Sequence, residues 1–260
     1  MPHLHLPATI QTLLDTAIVT DITIGCSAAC VYHLALPDYN LYLKIQPVGL
    51  CESLAREAHV LHWLRGRLPV PEVVEYTYDE QREYLVTSEI AGMNCVAVLD
   101  TLDPESIVCM LADGLRMIHA LDITHCPFDS RLVHRLVQAR YNVEHDLVDE
   151  DDFDPDRRGI MTAREVLTAI EQTSPPEDDL VFSHGDYCLP NVIVQDGVLH
   201  GFVDWGRAGI ADRYHDLALA SRSIRFNLGE ANESLFFAAY GLEQVDLTKI
   251  TYYRLLDELF

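Results

Sequence analysis

Apolar and polar positions alternate in short runs through the first ninety residues, with a single helical interruption. Residues 51–65 repeat apolar side chains every three or four positions (Leu54, Ala58, Leu61, Leu64), which is the spacing of one helix face. The β-rich runs are separated by turn residues and predict five strands, at 22–24, 31–34, 41–45, 73–76 and 84–87. This part of the chain is therefore predicted to be a mostly antiparallel five-stranded lobe with one helix.

Beyond Ala91-Gly92 the apolar period becomes mainly helical. Amphipathic patterns predict helices over 104–121, 131–148, 162–171, 212–224 and 247–260. A β stretch interrupts them, with strands at 180–182, 192–194 and 198–203 and an Asp196-Gly197 turn. The chain is thus predicted to be α+β and bilobal, with an N-terminal lobe over residues 1–91 and a mainly helical C-terminal lobe over 92–260.

The charge is strongly unbalanced: the 260 residues include 41 acidic and 18 basic side chains, for a net charge of −23. A hydrophobic content of 49% is ample for a core and excludes wholesale disorder. The acidic excess argues against nucleic-acid binding, which needs lysine and arginine to meet phosphates. It favours a cationic partner, although a solvated acidic surface would have the same composition.

Neither membrane nor secretory signals stand out. No apolar run approaches the roughly 20 residues of a membrane span, and the first residues lack a basic region. The seven cysteines are scattered, without a Cys-x-x-Cys pair, so neither a zinc knuckle nor a disulfide framework is indicated. We expect a soluble cytoplasmic protein that does not bind membranes.

Lysine is almost absent from the chain. Only Lys44 and Lys249 occur among the 18 basic residues, and the others are arginines. Since the planar guanidinium cannot replace a compact ammonium everywhere, each remaining lysine calls for a specific explanation.

The strongest chemical signal is the pair of segments Ser183–Asn191 and Gly201–Arg207. Asp186, Asn191 and Asp204 follow or end short strands of one hairpin, so their oxygens are expected to converge as ligands for Mg²⁺. The order matches the protein-kinase motifs His-Arg-Asp-x4-Asn and Asp-x-Gly, with Gly185 in place of the arginine. The alternative is a hairpin with Asx-capped turns and a structural histidine.

A kinase site also needs a cation for the nucleotide phosphates, and Lys44 is the candidate. It lies on the alternating strand 41–45, on the same face as Tyr42. Glu57 on the following helix is its candidate partner, with Glu52 as a competitor. Upstream, residues 25–29 could place backbone N–H groups and the Ser27 hydroxyl over the phosphates, or could form an ordinary hairpin.

These residues resemble the aminoglycoside 3′-phosphotransferases, the kinase-like enzymes that inactivate kanamycin and neomycin. The similarity runs along the chain, through the Lys44 strand, Arg56-Glu57, the Ser183–Asn191 and Asp204–Arg207 motifs, and the final hexapeptide Leu255–Phe260. The final hexapeptide is the most discriminating of these features. The resemblance implies a bilobal protein-kinase-like fold.

The resemblance also implies roles for these residues, with ATP and Mg²⁺ as cofactors. Asp186 is expected to orient the attacking hydroxyl and accept its proton, while Asn191 and Asp204 hold Mg²⁺. The expected nucleotide contacts are Lys44 held by Glu57, the Tyr42 ring on the adenine, the Ser88–Ile90 backbone at the adenine edge, and Ser27 at the phosphates.

A cationic aminoglycoside implies an acidic pocket. Asp257, Glu258 and the carboxylate of Phe260 are expected to form one wall, and the acidic run 144–156 another, through Asp152 and Asp154. Arg207 and Arg222 are expected to orient these carboxylates, and Asp216 to anchor the catalytic loop. The alternatives are a solvated acidic loop and a frayed C-terminus.

The expected function is ATP-dependent phosphorylation of the aminoglycoside 3′-hydroxyl, which confers resistance to kanamycin and neomycin. One alternative keeps the chemistry with another alcohol, such as a macrolide, homoserine or choline. Another is a non-catalytic nucleotide-binding or drug-sequestering module, which the presence of Lys44, Asp186 and Asp204 disfavours. We expect a monomer or a weak homodimer.

Overall fold

The computed structural model describes residues 6–22, 29–50 and 52–260 of the chain. The chain forms two compact units. The first contains the residues up to Gly92 together with His200–Gly206, and the second contains Met93–Leu199 and Arg207–Phe260. None of the helices within the described ranges has the length and hydropathy of a membrane span.

The first unit is built on a five-stranded antiparallel sheet, which confirms the predicted sheet. Its spatial order is β1-β2-β3-β5-β4. The strands are β1 (Ile18–Ile22), β2 (Cys30–Ala35), β3 (Asn40–Pro47), β4 (Val73–Tyr78) and β5 (Arg82–Ser88). The first strand begins four residues before the predicted one.

The prediction of a single helix in this unit was wrong. Besides α2 (Leu54–Leu64), the described residues include α1 (Ala8–Thr16), whose buried Ile10 joins the core of the sheet. Its apolar residues Ile10, Leu13 and Leu14 have the spacing of one helix face, but a nine-residue segment is too short to be stable as a helix on its own. Its burial against the sheet, rather than its own propensity, accounts for it.

The central strand β3 shows the alternation on which the site depends. Leu41, Leu43 and Ile45 point into the core, whereas Tyr42 and Lys44 lie on the partly exposed face. Lys44 is opposite Val31 on β2 and Leu85 on β5, so both neighbours fix its register. A one-residue slip would bury the ammonium and expose the core side chains.

Helix α2 is capped twice. The side chain of Ser53 accepts a hydrogen bond from Arg56 N at 3.2 Å, and Glu83 Oε2 on β5 accepts from Leu54 N at 3.0 Å. The buried Glu83 also accepts from Gln46 Nε2 at 3.0 Å and from the Tyr76 hydroxyl at 2.9 Å. These bonds tie the first turn of the helix to the sheet, because free N–H groups at a helix start need acceptors.

The second unit is mainly helical. Its helices are α3 (Pro104–His119), α4 (Leu132–Glu144), α5 (Ala163–Thr173), α6 (Tyr214–Leu228), α7 (Ala231–Tyr240) and α8 (Leu247–Asp257). Its strands are β6 (Met93–Asn94), β7 (Leu180–Ser183), β8 (Val192–Gln195) and β10 (Gly209–Asp212). Strand β9 (Val198–Phe202) begins in this unit, and its last three residues belong to the first.

The sequence pattern missed α7 and β10. Helix α7 reads Ala-Asn-Glu-Ser-Leu-Phe-Phe-Ala-Ala-Tyr, in which the apolar residues form one run rather than a stripe. Strand β10 has four residues and pairs antiparallel with β7, Gly209 opposite Ser183. The helix predicted from residue 212 begins at Tyr214 instead.

Lys249 has a structural role. It is buried, and its Nζ lies 2.5 Å from Asp178 and 2.7 Å from Asp212. Burial disfavours the cation, but these two carboxylates outweigh it and raise the pKa of Lys249. The ammonium therefore joins the start of α8 to the end of β10.

We expect Glu83→Gln to lower the free energy of unfolding by about 1–3 kcal/mol, because a buried acceptor for the α2 N-terminus loses its charge. Chemical denaturation of the purified variant measures this. Glu80→Gln is the matched control, since Glu80 is exposed in the adjacent turn and should change stability by less than about 0.5 kcal/mol. Equal losses in the two variants would contradict the assignment.

Candidate active site

The first unit brings three sequence-predicted residues together. Lys44 Nζ lies 2.7 and 2.9 Å from the two oxygens of Glu57 and 2.5 Å from Asp204 Oδ1. Glu57 is the carboxylate that the ammonium contacts, whereas Glu52 uses its backbone carbonyl to accept from Gln46. The pairing predicted between strand β3 and helix α2 is thus formed.

This cluster keeps the ammonium charged. Burial opposes the charged form, but the carboxylates of Asp204 and Glu57 outweigh it and raise the pKa of Lys44 above its ordinary value. Glu57 is buried, while 47% of the Asp204 side chain is exposed. The cluster therefore presents one accessible carboxylate beside a fixed cation.

The backbone around Asp204 is set by its neighbours. Asp204 has φ of +64°, which is uncommon for a residue with a side chain. Trp205 is fully buried and donates from Nε1 to Phe202 O at 3.1 Å, and Arg56 Nε donates to Gly206 O at 3.2 Å. These anchors on both sides hold the carboxylate in a conformation that an isolated loop would not favour.

The predicted adenine contacts lie at the end of β5 and beside it. The rings of Tyr42 and His33 are in edge contact, with centroids 5.1 Å apart. Within Ser88–Ile90, the N–H groups of Ser88 and Glu89 already donate to Glu72 O at 2.9 Å and to Asn40 O at 3.2 Å. A purine edge at this segment would therefore meet the N–H of Ile90. Ser27 lies outside the described residues.

In the second unit the loop after β7 holds Asp186 and Asn191. Asn191 Nδ2 donates to Asp186 O at 2.9 Å and to Asp186 Oδ2 at 3.0 Å. The Asp186 N–H lies 3.3 Å from His184 Nδ1. Because Asn191 uses its amide N–H groups on Asp186, its Oδ1 is the atom that remains as a ligand for a cation.

Asp216 on α6 holds this loop by hydrogen bonds to its backbone. It is fully buried, and its two oxygens accept from His184 N and Gly185 N, each at 2.8 Å. His119 Nε2 lies 2.9 Å from the same carboxylate. Burial raises the pKa of Asp216, but the hydrogen bond from His119 and the charges of the nearby imidazoles outweigh it and set the pKa at about 2.

Gly185 stands where protein kinases have arginine, and the structure gives the reason. It has φ of +82°, and a Cβ on this residue would lie 2.5 Å from Arg207 O. A side chain is excluded both by the backbone conformation and by a neighbouring backbone atom.

The donors of a metal site can be judged by their chemistry. Among the described residues, no group of three or more His, Cys, Asp or Glu side chains is arranged to hold a metal. Asp204 and Asn191 each offer a hard oxygen ligand of the type that Mg²⁺ accepts together with phosphate oxygens and water.

The C-terminal carboxylates are held by arginines. Asp257 is buried and contacts Arg207 Nη1 at 3.2 Å and Arg222 Nη2 at shorter range. Burial alone would raise the pKa of Asp257, but Arg222 and Arg207 lower it below its ordinary value. The arginines that the sequence singled out thus keep this carboxylate ionised.

Glu258 and Asp154 share a second arginine partner, Arg157. Arg157 Nη1 lies 2.7 Å from Glu258 Oε1 and 2.9 Å from Asp154 Oδ2, and Asp154 N donates to Glu258 at 3.0 Å. Burial, aided by the Asp154 carboxylate, raises the pKa of Glu258 to about 7. Asp152 is exposed in the short turn Glu150–Asp152. Sequence analysis missed Arg157, because its position directly after the acidic run gives no sign of a partner a hundred residues away.

The last residue is docked against the second unit. The Arg135 guanidinium lies 3.7 Å from the centroid of the Phe260 ring, and that of Arg207 lies at 5.6 Å. Asn142 Nδ2 donates to Leu259 O at 2.8 Å. These contacts contradict the alternative of a frayed terminus. Arg135 was also missed, since it is one of two arginines on an amphipathic helix.

Comparisons with known proteins show the family of this chain. The phosphotransferase enzyme family (APH) matches residues 19–255 of the chain. A protein of Niallia circulans named aminoglycoside 3′-phosphotransferase is 36% identical over 258 residues, which cover 98% of this chain and 97% of that protein. One of the same name from Enterococcus faecalis is 38% identical over 243 residues, 92% of each chain. This chain belongs to the aminoglycoside 3′-phosphotransferase family.

Solved structures of family members confirm the predicted fold class. The crystal structure of an aminoglycoside 3′-phosphotransferase of type VIII has a TM-score of 0.84 and 33% identity, covering 93% of this chain and 94% of that one. An aminoglycoside phosphotransferase of Streptomyces rimosus in complex with ADP and streptomycin has a TM-score of 0.81 and 27% identity, covering 96% and 97%. The phosphotransferase chain described here is therefore α+β with the kinase-like fold of its family.

We expect Gly185→Ala to lower kcat at least about tenfold, because a methyl group pushed against Arg207 O displaces the loop that carries Asp186. Steady-state kinetics with Mg-ATP and kanamycin measure this. Gly159→Ala is the control: Gly159 also has positive φ, +71°, but no atom lies within 4 Å of the position that its methyl group would take. An equal loss of activity in both variants would mean that backbone strain, not the close approach, matters.

We expect the stability contributed by Glu258 to decrease with pH. Its pKa is raised to about 7, so between the unfolded value near 4.5 and pH 7 the folded state binds more protons than the unfolded state. The stability of the wild type relative to Glu258→Gln should therefore fall from pH 5 to pH 8 in denaturation experiments. Asp257→Asn should give a flat difference over that range, because the Asp257 pKa lies below it. A rising difference for Glu258→Gln would contradict the assignment.

Proposed function

We propose that this chain transfers the γ-phosphoryl group of ATP to the 3′-hydroxyl of aminoglycosides such as kanamycin and neomycin, and so confers resistance to them. The observation that carries the proposal is the contact of Lys44 with both Glu57 and Asp204. A lysine clamped between a helix glutamate and the aspartate of an Asp-x-Gly motif is the arrangement that kinases use for nucleotide phosphates. The relatives named as aminoglycoside 3′-phosphotransferases support the choice of acceptor.

The nucleotide is bound by the first unit in this proposal. The Lys44 ammonium binds phosphate oxygens, and Glu57 fixes its direction. The Tyr42 ring stacks on the adenine, whose hydrogen-bonding edge meets the Ser88 carbonyl and the Ile90 N–H. Ser27 supplies a hydroxyl to the phosphates.

Asp204 and Asn191 would supply oxygen ligands to Mg²⁺, which would neutralise phosphate charge when bound. The exposed Asp204 carboxylate offers an anionic oxygen beside Lys44, and Asn191 offers its Oδ1. Both donors are hard oxygens, so the residues fit this ion rather than a softer metal.

Asp186 orients the acceptor hydroxyl. Asn191 Nδ2 bonds to Asp186 Oδ2, which leaves Oδ1 to accept a hydrogen bond, and later the proton, from the attacking hydroxyl. Phosphoryl transfer passes through a loose transition state, so the position of the hydroxyl counts for more than the basicity of the carboxylate.

The second unit binds the ammonium groups of the drug. Asp257, Glu258, Asp154, Asp152 and the carboxylate of Phe260 provide the anionic oxygens, and Arg207 and Arg222 orient Asp257. Each oxygen of Asp257 faces one arginine and keeps a further lone pair, so the buried carboxylate can still accept from a ligand. The net charge of −23 attracts a polycation at long range. The enzyme acts in the cytoplasm, where ATP is supplied, as a monomer or weak homodimer.

Phosphate transfer from Mg-ATP to kanamycin is the test, with tobramycin, which lacks the 3′-hydroxyl, as the matched acceptor. We expect turnover of kanamycin, and binding without turnover of tobramycin. Streptomycin belongs in the panel because a structurally similar phosphotransferase has been solved with it. Asp186→Ala should abolish turnover and leave ATP binding within a fewfold, because Asp186 contacts the acceptor rather than the nucleotide.

Phosphorylation of tobramycin would show that the enzyme uses a hydroxyl other than the 3′-hydroxyl and would contradict the proposed position. If no aminoglycoside in the panel were phosphorylated, the acceptor would be another alcohol. Full activity of Asp186→Ala would reject the assignment of the catalytic loop.

A further inference from the structure

A chain of hydrogen bonds runs from the end of α7 to the loop that carries Asp186. The Tyr240 hydroxyl lies 2.7 Å from His119 Nδ1, and His119 Nε2 lies 2.9 Å from Asp216 Oδ2. Asp216 then accepts from His184 N and Gly185 N, each at 2.8 Å. The residue after Gly185 is Asp186, so Tyr240 is linked to the catalytic segment through only two side chains.

The Asp216 carboxylate fixes the direction of one of these bonds. Asp216, with its pKa of about 2, can only accept, so His119 Nε2 must carry a hydrogen. Burial raises the pKa of Tyr240 to about 12, which keeps the hydrogen on its hydroxyl. In the tautomer of His119 with hydrogen on Nε2, Nδ1 has a lone pair, and the Tyr240 hydroxyl lies within hydrogen-bond distance of that atom.

Tyr240 is itself held firmly. It is the last residue of α7, which ends at Gly241 in the left-handed conformation with φ of +99°. Arg116 on α3 donates to the carbonyl of Ala239, one residue before. The Tyr240 ring meets the His119 ring edge-on, with centroids 5.7 Å apart. The hydroxyl is therefore presented to His119 by a rigid helix end rather than by a loop.

We propose that Tyr240 is a positioning residue for phosphoryl transfer: it selects the Nε2–H tautomer of His119 and thereby holds Asp216 beneath the loop that carries Asp186. Without its hydroxyl, His119 can carry its hydrogen on Nδ1 instead, and the Asp216 oxygen loses a donor. The loop then gains freedom at His184 and Gly185, next to the residue that orients the acceptor. This proposal rests on the proposed function.

A matched control exists in the same unit. Tyr253 is also buried, and its hydroxyl has no hydrogen-bond partner in the described part of the chain. Tyr253→Phe therefore removes a buried hydroxyl that is not linked to the loop. Comparing Tyr253→Phe with Tyr240→Phe separates the effect of losing a buried hydroxyl from the effect of losing the hydrogen bond to His119.

The first test is kinetic. We expect Tyr240→Phe to lower kcat about threefold to tenfold with KM for ATP and kanamycin within about twofold, because one hydrogen bond that orders the catalytic loop is lost. Tyr253→Phe should leave kcat within about twofold. In the background of His119→Gln, Tyr240→Phe should have no further effect, because Tyr240 acts through His119. An unchanged kcat in Tyr240→Phe, or an effect that persists in the His119→Gln background, overturns the proposal.

The second test needs no substrate. NMR of protein labelled with ¹⁵N-histidine should show His119 as the Nε2–H tautomer with a hydrogen-bonded Nδ1 in the wild type and in Tyr253→Phe. In Tyr240→Phe the Nδ1 resonance should move, and the amides of His184 and Gly185 should exchange faster. An identical His119 spectrum in Tyr240→Phe overturns the proposal whatever the acceptor proves to be. Failure of aminoglycoside turnover in the wild type would reject only the proposed function.

Discussion

The contact of one ammonium with two carboxylates is the interaction on which the first unit depends. Lys44 reaches Glu57 and Asp204 only if β3 keeps its register, α2 begins where Ser53 and Glu83 cap it, and the turn at Asp204 adopts its positive φ. Two carboxylates around one ammonium give the cluster a net negative charge, and the half-exposed Asp204 carboxylate carries it toward solvent.

In the second unit, arginines hold several carboxylates. Asp257 and Glu258 are buried next to each other and would repel one another without them. Arg207 and Arg222 each contact one oxygen of Asp257. Arg157 contacts both Glu258 and Asp154. Each guanidinium fixes carboxylates in two directions, for which its planar fork is suited and an ammonium is not. The rarity of lysine and the acidity of the chain thus belong to one arrangement.

Much of this could be predicted from the sequence, because motif spacing along strands and turns sets which side chains share an edge. Lys44, Glu57 and the Asp186–Asn191 loop follow from such local patterns. The sequence also showed glycine at position 185, where protein kinases have arginine, and the structure explains it, because a side chain there would collide with Arg207 O. The residues that were missed, Arg157, Arg135 and Tyr240, act on partners about a hundred positions away. Helix α1 was missed because its apolar stripe spans only nine residues, and α7 because its apolar residues form one run; the formation of both depends on packing that one sequence does not reveal.

The scarcity of lysine has a practical consequence for chemical labelling. Acylating reagents attack an uncharged amine, and both lysine side chains are kept as ammonium ions with raised pKa values in ion pairs of low exposure. Amine-directed crosslinkers and fluorophores would therefore find almost nothing to modify on the folded chain. Carboxylate-directed coupling would instead meet dozens of sites, whereas thiol-directed coupling would meet the exposed Cys30 among the described cysteines.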